Sequence, residues 1–380
     1  DAPGRNREGQ GKKMQTPIAI EQTGTDPHYF YGMTLNTSAE DFDRNLEAMR
    51  GIVSSRYDQR RRMWLVPMTP CGRAELLAVA RDIRCKNLWE TVIEFDDIYW
   101  DRVNVFVWHA QPTGGIAHGP DDEIKYKRPR GEKVESWEHQ MRAFFFSQQR
   151  EASLLALEMG CGKTKVAIDS VETSISYDSH IWKSIHPGLP VLIVAPLSVL
   201  PVWEAQIEMH SRGDLRPLVL RGTVAQKAKQ LEKTFTMSHY PNAIIVNYES
   251  LWREPLASLI LSMDWGWVIL DEAHKIKSPG SKVSRFCARL APCSHRRLAL
   301  TGTPMPHSPL DVYGIFRFLD VGLFGSSFAK FRGEFATMGG FQDKQVVAHR
   351  NLDKLAGMMD RITFSCKAAD VLDLPPTQDI

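Results

Sequence analysis

The sequence has no run of about eighteen apolar residues, the length a helix needs to span a bilayer. Its longest apolar stretches, residues 189–200 and 256–263, suit core elements instead. A membrane is therefore not among the expected partners. The opening residues DAPGRNREGQGKK are polar with no apolar segment behind them, the pattern expected without a signal peptide. Cysteine is scarce. The six cysteines (Cys71, Cys85, Cys161, Cys287, Cys293, Cys366) form no C-x-x-C pair and no Cys/His ligand spacing, which argues against a disulfide scaffold or a zinc module. A reduced, intracellular protein is expected, cytoplasmic in a bacterium or phage and nuclear in a eukaryote. An excess of one charge is also missing. Lys and Arg number 47 against 45 Asp and Glu, a net of +2. The chain is no polycation, and any nucleic-acid surface must come from local clusters. Hydrophobic residues at 43% and charged residues at 24% are ordinary for a globular protein. At about 150 residues per domain, 380 residues predict two to three domains.

The pattern divides the chain. Residues 1–27 mix Gly, Pro, Gln and basic side chains without periodicity and read as a flexible basic tail. Residues 28–110 read as a small α+β domain. Residues 29–35 are strand-like, and Ser38 can cap a helix over 39–49 that buries Phe42 and Leu46. Two short strands at 56–57 and 63–66 flank a polar turn. Pro70 opens a second helix, and Val103, Val105 and Val107 alternate as a strand does. Residues 111–133 are Gly- and Pro-punctuated and read as a linker. From 134 to 376, short apolar runs at 153–157, 191–195, 217–220, 243–246, 268–270 and 297–300 alternate with helical stretches. Such alternation predicts an α/β fold with a mainly parallel sheet, which binds ligands at the carboxyl ends of its strands.

Three of those strand ends carry chemistry. The run at 153–157 leads into Glu158-Met159-Gly160-Cys161-Gly162-Lys163-Thr164 and then a helix. Strand, glycine-bearing loop and helix make a phosphate cradle. The glycines Gly160 and Gly162 let backbone N–H groups turn inward, and the helix N-terminus adds partial positive charge. Lys163 would reach the β- and γ-phosphates of ATP, and Thr164 would place its hydroxyl on Mg²⁺. The general pattern wants a glycine at position 157, where this chain has Leu157. The run at 267–270 ends in Asp271-Glu272-Ala273-His274. Asp271 would hold the metal through water, and Glu272 would orient and deprotonate the attacking water. The third run ends in Thr301-Gly302-Thr303-Pro304, whose threonines can hydrogen-bond toward His274 and the bound phosphate.

These residues resemble the first RecA-like motor lobe of superfamily-two helicases, and most closely the Snf-type branch of double-stranded DNA translocases. That branch reads L-A-D-E-M-G-L-G-K-T where this chain reads LALEMGCGKT, and it too lacks the first P-loop glycine. Further matches are His139-Gln140, VLIVAPLSVLPVW at 191–203, IVNYESL at 245–251, DEAHKIK at 271–277 and LTGTPMPHSPLDVYGIFRFLDVGL at 300–323. The resemblance implies that Gln140 reads adenine and that Ser198 and Lys277 face DNA. It also implies a second RecA-like lobe, supplied in cis or trans, whose arginine finger completes the site. Residues 377–380 would begin the connection to that lobe. The chain departs from the branch at His307, where an asparagine is usual, and at Ser365-Cys366, where a basic pair is usual.

The N-terminal domain resembles the HARP-like (HepA-related) domain of annealing helicases and related phage proteins, through MRG at 49–51, RYD at 56–58 and MWLVP at 63–67. In that family it precedes a Snf-type motor and recognises branched or single-stranded DNA. Within 44–62, Arg44, Arg50, Arg56, Arg60, Arg61 and Arg62 stand against Glu47 and Asp58, a net of +4. Tyr57 and Trp64 could stack on bases, or Trp64 could be core. A second +4 cluster, Lys125, Lys127, Arg128, Arg130 and Lys133 against Glu132, lies in the linker. The expected function is an ATP-dependent DNA translocase motor on duplex or branched DNA. Two alternatives share these motifs: a DNA-binding or annealing module without turnover, and a helicase subunit of a restriction or anti-phage system. One outcome follows from the arginine run alone. Reversing charge at Arg60, Arg61 and Arg62 together should flatten the dependence of log K on log salt by up to about two to three units in a DNA titration, because each neutralised phosphate contributes roughly 0.7–0.9.

Overall fold

The computed structural model describes residues 18–22, 29–33, 55–59, 63–67, 133–176, 190–234, 242–339 and 345–371. The helices expected at 39–49 and after Pro70, the strand at 103–107, nearly all of the linker and residues 372–380 lie outside the described residues.

Near the N-terminus, β1 (Ile18–Gln22), β2 (Tyr29–Met33), β3 (Arg56–Asp58) and β4 (Met63–Pro67) form an antiparallel sheet in the order β1-β2-β4-β3. The expected strands at 29–35, 56–57 and 63–66 fall in it. β1 does not fit the expectation of an irregular tail over 1–27. Its alternation is only Ile18 and Ile20 around Ala19, too short to stand out, and pairing with β2 from Ile18↔Met33 to Gln22↔Tyr29 supplies the order. On β3 and β4, Tyr57 faces Trp64 in register with ring centroids 5.5 Å apart. Tyr57 is exposed and Trp64 partly buried.

From residue 133 the order is α1 (Glu138–Gln148), β5 (Ala152–Leu157), α2 (Lys163–Ser176), β6 (Val191–Ala195), α3 (Leu200–His210), β7 (Pro217–Val219), α4 (Val224–Thr234), β8 (Ala243–Asn247), α5 (Tyr248–Leu251) and α6 (Leu256–Leu261). Then follow β9 (Trp265–Asp271), α7 (Lys282–Leu290), β10 (Ser294–Leu300), α8 (Val312–Leu319), α9 (Val321–Phe324), α10 (Phe328–Phe335), β11 (Ala336–Gly339), β12 (Gln345–His349), α11 (Leu352–Met359), β13 (Thr363–Cys366) and α12 (Ala368–Val371). Seven strands make one sheet in the order β13-β5-β10-β9-β6-β8-β7, with every neighbouring pair parallel. This is the RecA-like parallel sheet flanked by helices that the strand–helix alternation predicts.

The sheet is covered on both faces, so its strands read as continuous apolar runs rather than alternating ones. All residues of β5, β6 and β8 are buried. Successive side chains nonetheless serve opposite faces. Leu192, Val194, Ile244 and Val246 pack with α7, α8 and α10, whereas Val191, Ile193, Ala243 and Ile245 pack with α1, α2 and α3. A buried Leu, Ile or Val contributes roughly 1.5–3 kcal/mol. A one-residue slip would exchange the two sets of side chains, so the register is strongly specified.

Three further strands had no signal in the sequence. β13, only Thr-Phe-Ser-Cys, is a strand because it pairs with β5, Thr363↔Leu154 through Cys366↔Leu157. The β11–β12 hairpin is pinned at its base by the Arg350 amide donating to Phe335 O at 3.0 Å and by the Arg350 guanidinium on Glu334 O at 3.2 Å.

Helix α8 crosses the turn after β9 at very close range. A Cβ on Gly314 would sit 2.0 Å from Ile276 O and 3.1 Å from Lys277 O, both backbone atoms that cannot swing away. Gly314→Ala gains about 1 kcal/mol of helix propensity. Overpacking at a backbone contact costs about 1–3 kcal/mol or more, and it should win. The expected outcome is net destabilisation of about 2 kcal/mol, read as a lower urea midpoint with an unchanged m-value.

A candidate nucleotide site at the carboxyl edge of the sheet

The parallel register places three loops side by side. Leu300 at the end of β10 pairs with Leu155 on one neighbour and Asp271 on the other. The loops after β5, β9 and β10 therefore leave the same edge together, and the Thr301 amide donates to Leu155 O at 3.2 Å.

The loop after β5 turns through Gly160 (φ 87°) and Gly162 (φ 79°), both in the left-handed region. Lys163 opens α2, and its ammonium donates to Leu157 O at 2.8 Å and Glu158 O at 3.2 Å, curling back over the loop. Gln140 is buried against this loop. Its Nε2 donates to Cys161 O at 3.4 Å, its Oε1 accepts from the Trp137 amide at 3.1 Å, and His139 Nε2 lies 3.0 Å from the same Cys161 carbonyl. A Cβ on Gly162 would strike Gln140 Nε2 at 2.2 Å. The loop is gripped on its other side by the end of β13. The Glu158 amide donates to Cys366 O at 3.1 Å, and the Glu158 carboxylate accepts from the Ala368 amide at 2.9 Å.

Asp271, at the end of β9, is 7% exposed. Burial, with the neighbouring Glu272 charge, holds its carboxyl above the usual carboxylate range. Opposing that are the Trp203 indole N–H on Oδ2 at 2.8 Å, the Glu272 amide on Oδ1 at 2.9 Å, and the nearby Lys163 ammonium. The Tyr248 hydroxyl donates to the Asp271 carbonyl at 2.7 Å. Glu272 itself has φ 50° and ψ 52°, a left-handed conformation that costs a non-glycine residue about 1–2 kcal/mol. Its carboxylate lies 3.2 Å from His274 Nδ1, which is 3.4 Å from Thr301 Oγ1. Thr301 is buried and Thr303 is exposed. Thr303 joins this chain through its backbone N–H, which donates to Thr301 Oγ1 at 3.1 Å.

The structure thus brings Gln140, Gly160, Gly162, Lys163, Thr164, Asp271, Glu272, His274, Thr301 and Thr303 to one edge. Ser198 is exposed on the short turn Leu197–Val199, and Lys277 lies 3.8 Å from Asp311 Oδ2. Arg56 is on β3, and Arg60, Arg61 and Arg62 lie outside the described residues. Sequence reasoning missed Trp203 and Tyr248 as partners of Asp271. Both sit inside quoted motifs, but nothing in a linear pattern says where an indole N–H or a phenol points.

The residues present fit ATP with Mg²⁺. Positive-φ glycines and the first turn of α2 form a cradle for phosphate. Thr164 and Asp271 offer hard oxygen donors. Among the described residues no group of three or more His, Cys, Asp or Glu could hold a metal alone. Mg²⁺ suits such a site, since it takes one or two protein oxygens and fills its shell with phosphates and water.

A parallel, helix-flanked sheet with a phosphate loop and an acidic strand end defines the class, a RecA-like nucleotide-binding lobe. Residues 137–380 match the SNF2-related domain, and the chain belongs to that family. It is 32% identical over 168 residues to the ISWI chromatin-remodeling complex ATPase ISW1 of Saccharomyces cerevisiae, covering 44% of this chain and 14% of that protein. It is 29% identical over 207 residues to the DNA excision repair protein ERCC-6-like of Mus musculus, covering 52% and 16%. The chain thus spans a small part of the length of the curated relatives it matches. In three dimensions it is similar to the Sulfolobus solfataricus SWI2/SNF2 ATPase core in complex with dsDNA, with a TM-score of 0.51, 25% identity, and coverage of 66% of this chain and 49% of that one.

Gly162→Ala tests the cradle. It adds left-handed strain of about 1–2 kcal/mol and displaces the Gln140 amide. The expected result is a nucleotide affinity at least about tenfold weaker by calorimetry, with the far-UV circular dichroism of the fold retained.

Proposed function

We propose that this chain is the nucleotide-binding first lobe, with an N-terminal DNA-recognition unit, of an ATP-driven DNA translocase that works inside the cell. The observation that carries this reading is that the Lys163 ammonium, at the end of the loop after β5, acts electrostatically on the buried Asp271 carboxylate, which ends β9 one strand beyond β10 and is held by a donor on each oxygen. A cation and a fixed carboxylate at one sheet edge suit a metal-bound triphosphate, whose hydrolysis is mainly positioning and charge neutralisation.

Each residue then has a task. Lys163 leaves Leu157 O and Glu158 O to contact the β- and γ-phosphates. Thr164 and Asp271 hold Mg²⁺, which when bound would neutralise charge on the phosphates. Glu272 orients the attacking water and takes its proton, with its carboxylate 3.2 Å from His274 Nδ1. His274 and Thr301 link that carboxylate to the loop after β10, a route by which hydrolysis is felt elsewhere in the lobe. Gln140 ties recognition of adenine to the loop through Cys161 O.

The remaining parts of the reading extend along the chain. Residues 28–110 act as a HARP-like domain, residues 111–133 as a linker, and 134–376 as the lobe. Tyr57, with Trp64 behind it, offers a stacking surface for an unpaired base. Arg56, Arg60, Arg61 and Arg62 contact phosphates, and Ser198 and Lys277 contact the duplex on the lobe. That the matched structure is a dsDNA complex supports a duplex as the track. A second lobe, in cis or trans, supplies the arginine finger, which is worth about 10³–10⁵ in rate in other nucleotide hydrolases.

The decisive experiment compares two variants in the presence of DNA and a second lobe. Lys163→Ala should abolish hydrolysis and weaken ATP binding. Glu272→Gln should keep ATP binding and lose turnover, because only the proton acceptor is removed. Wild-type rates in both would overturn the site. ATP binding without hydrolysis by the wild type under any DNA would favour a binding or annealing module.

A further inference from the structure

Asp271 is held by more than its own strand. Its Oδ1 accepts from the Glu272 amide, its carbonyl accepts from Tyr248, and its Oδ2 accepts from Trp203, which arrives from a different strand end, after β6. Trp203 is fully buried at 0% exposure, packed among Leu155, Ile193, Val166 and Ile207. A tryptophan deep in an apolar cluster would ordinarily satisfy its N–H on a backbone carbonyl, as Trp265 does on Ile260 O at 3.0 Å. Trp203 instead spends its single donor on a buried carboxylate, 68 residues distant in sequence. With one donor on each oxygen, the carboxylate cannot rotate about its terminal bond without breaking a charge-assisted hydrogen bond. Each oxygen keeps acceptor capacity for one further partner.

We propose that Trp203 is a positioning residue that fixes the rotation of the Asp271 carboxylate, so that its remaining lone pairs are presented to the divalent cation. This rests on the reading of Asp271 as the metal-holding group. Partners that orient a metal-holding side chain typically contribute about 10–100-fold in metal affinity. Trp203 touches neither nucleotide nor metal in this scheme. Its effect should therefore appear in metal affinity and not in metal-free nucleotide binding.

The test uses the whole chain with Mn²⁺ and ADP as probes. Free Mn²⁺ is followed by electron paramagnetic resonance at saturating ADP, and ADP affinity is measured by calorimetry in chelator. Asp271→Asn calibrates the site. Trp203→Phe removes the N–H while keeping an aromatic core residue. If that variant fails to fold, site-specific replacement of Trp203 by benzothienylalanine keeps the bicyclic shape and lacks only the donor. The expected result is Mn²⁺ affinity weakened about tenfold or more in the donor-less variant, with metal-free ADP affinity within about twofold of wild type. Tyr248→Phe, which loses a bond to the backbone carbonyl only, should change Mn²⁺ affinity less. Unchanged Mn²⁺ affinity in the donor-less variant, while Asp271→Asn loses it, would overturn the role of Trp203 and leave the site standing. A parallel loss of metal-free ADP affinity would reduce Trp203 to a packing residue and also overturn it. No Mn²⁺ effect of Asp271→Asn, or no ADP binding by wild type, would overturn the metal assignment and this inference with it.

Discussion

The parallel ladder of β5, β10 and β9 is the constraint on which the rest of the lobe depends. Because Leu300 pairs with Leu155 on one side and Asp271 on the other, β10 and β9 end level, β5 runs on to Leu157, and their following loops share one edge. The ladder is held by burial on both faces, which the alternating partition of β6 and β8 side chains between two apolar clusters makes explicit. Slipping one strand by one residue would put the wrong side chains into each cluster and would also move Asp271 or Thr301 out of level. Core and site are thus specified by the same register.

Three buried polar side chains of this core tie separate elements together. Asp271 is buried at the cost of a raised carboxyl pKa, and three donors or charges offset that cost. Arg297, inside β10, spreads its guanidinium over Leu319 O, Ala291 O and Ser294 O, so it ends helix α8 and the turn before its own strand together. Lys165 bonds Asp169 at 2.6 Å and Ser136 at 2.7 Å, which fixes the segment before α1 against α2. That last tie matters for the site, because α1 carries Gln140 to the phosphate loop. The buried polar pairs act as spacers between elements whose apolar packing alone would allow small shifts.

The phosphate loop is stretched between two supports. Gln140 and His139 hold Cys161 O from one side, and Cys366 O and the Ala368 amide hold Glu158 from the other. In the proposed function, Lys163 leaves two loop carbonyls to reach phosphate. The same loop is tied to helix α1 and to the edge strand β13.

Much of this was legible in the chain of letters. The apolar runs at 191–195 and 243–246 became strands because continuous burial needs no partner pattern to be recognised, and GCGKT, DEAH and TGT marked three strand ends because their chemistry is local. The sequence could not show β1 or β13, whose residues Ile18–Gln22 and Thr363–Cys366 are strands only by virtue of pairing with β2 and β5. Nor could it show that Trp203 and Tyr248 converge on Asp271, since side-chain direction depends on the positions of three separate strands. Composition and motif spacing determined the class of fold and the chemistry available, because backbone turns and charge types are encoded within a few residues. Tertiary structure alone decided which of those groups meet and which atoms they present, because those contacts join segments 68 residues apart through the register of a buried sheet.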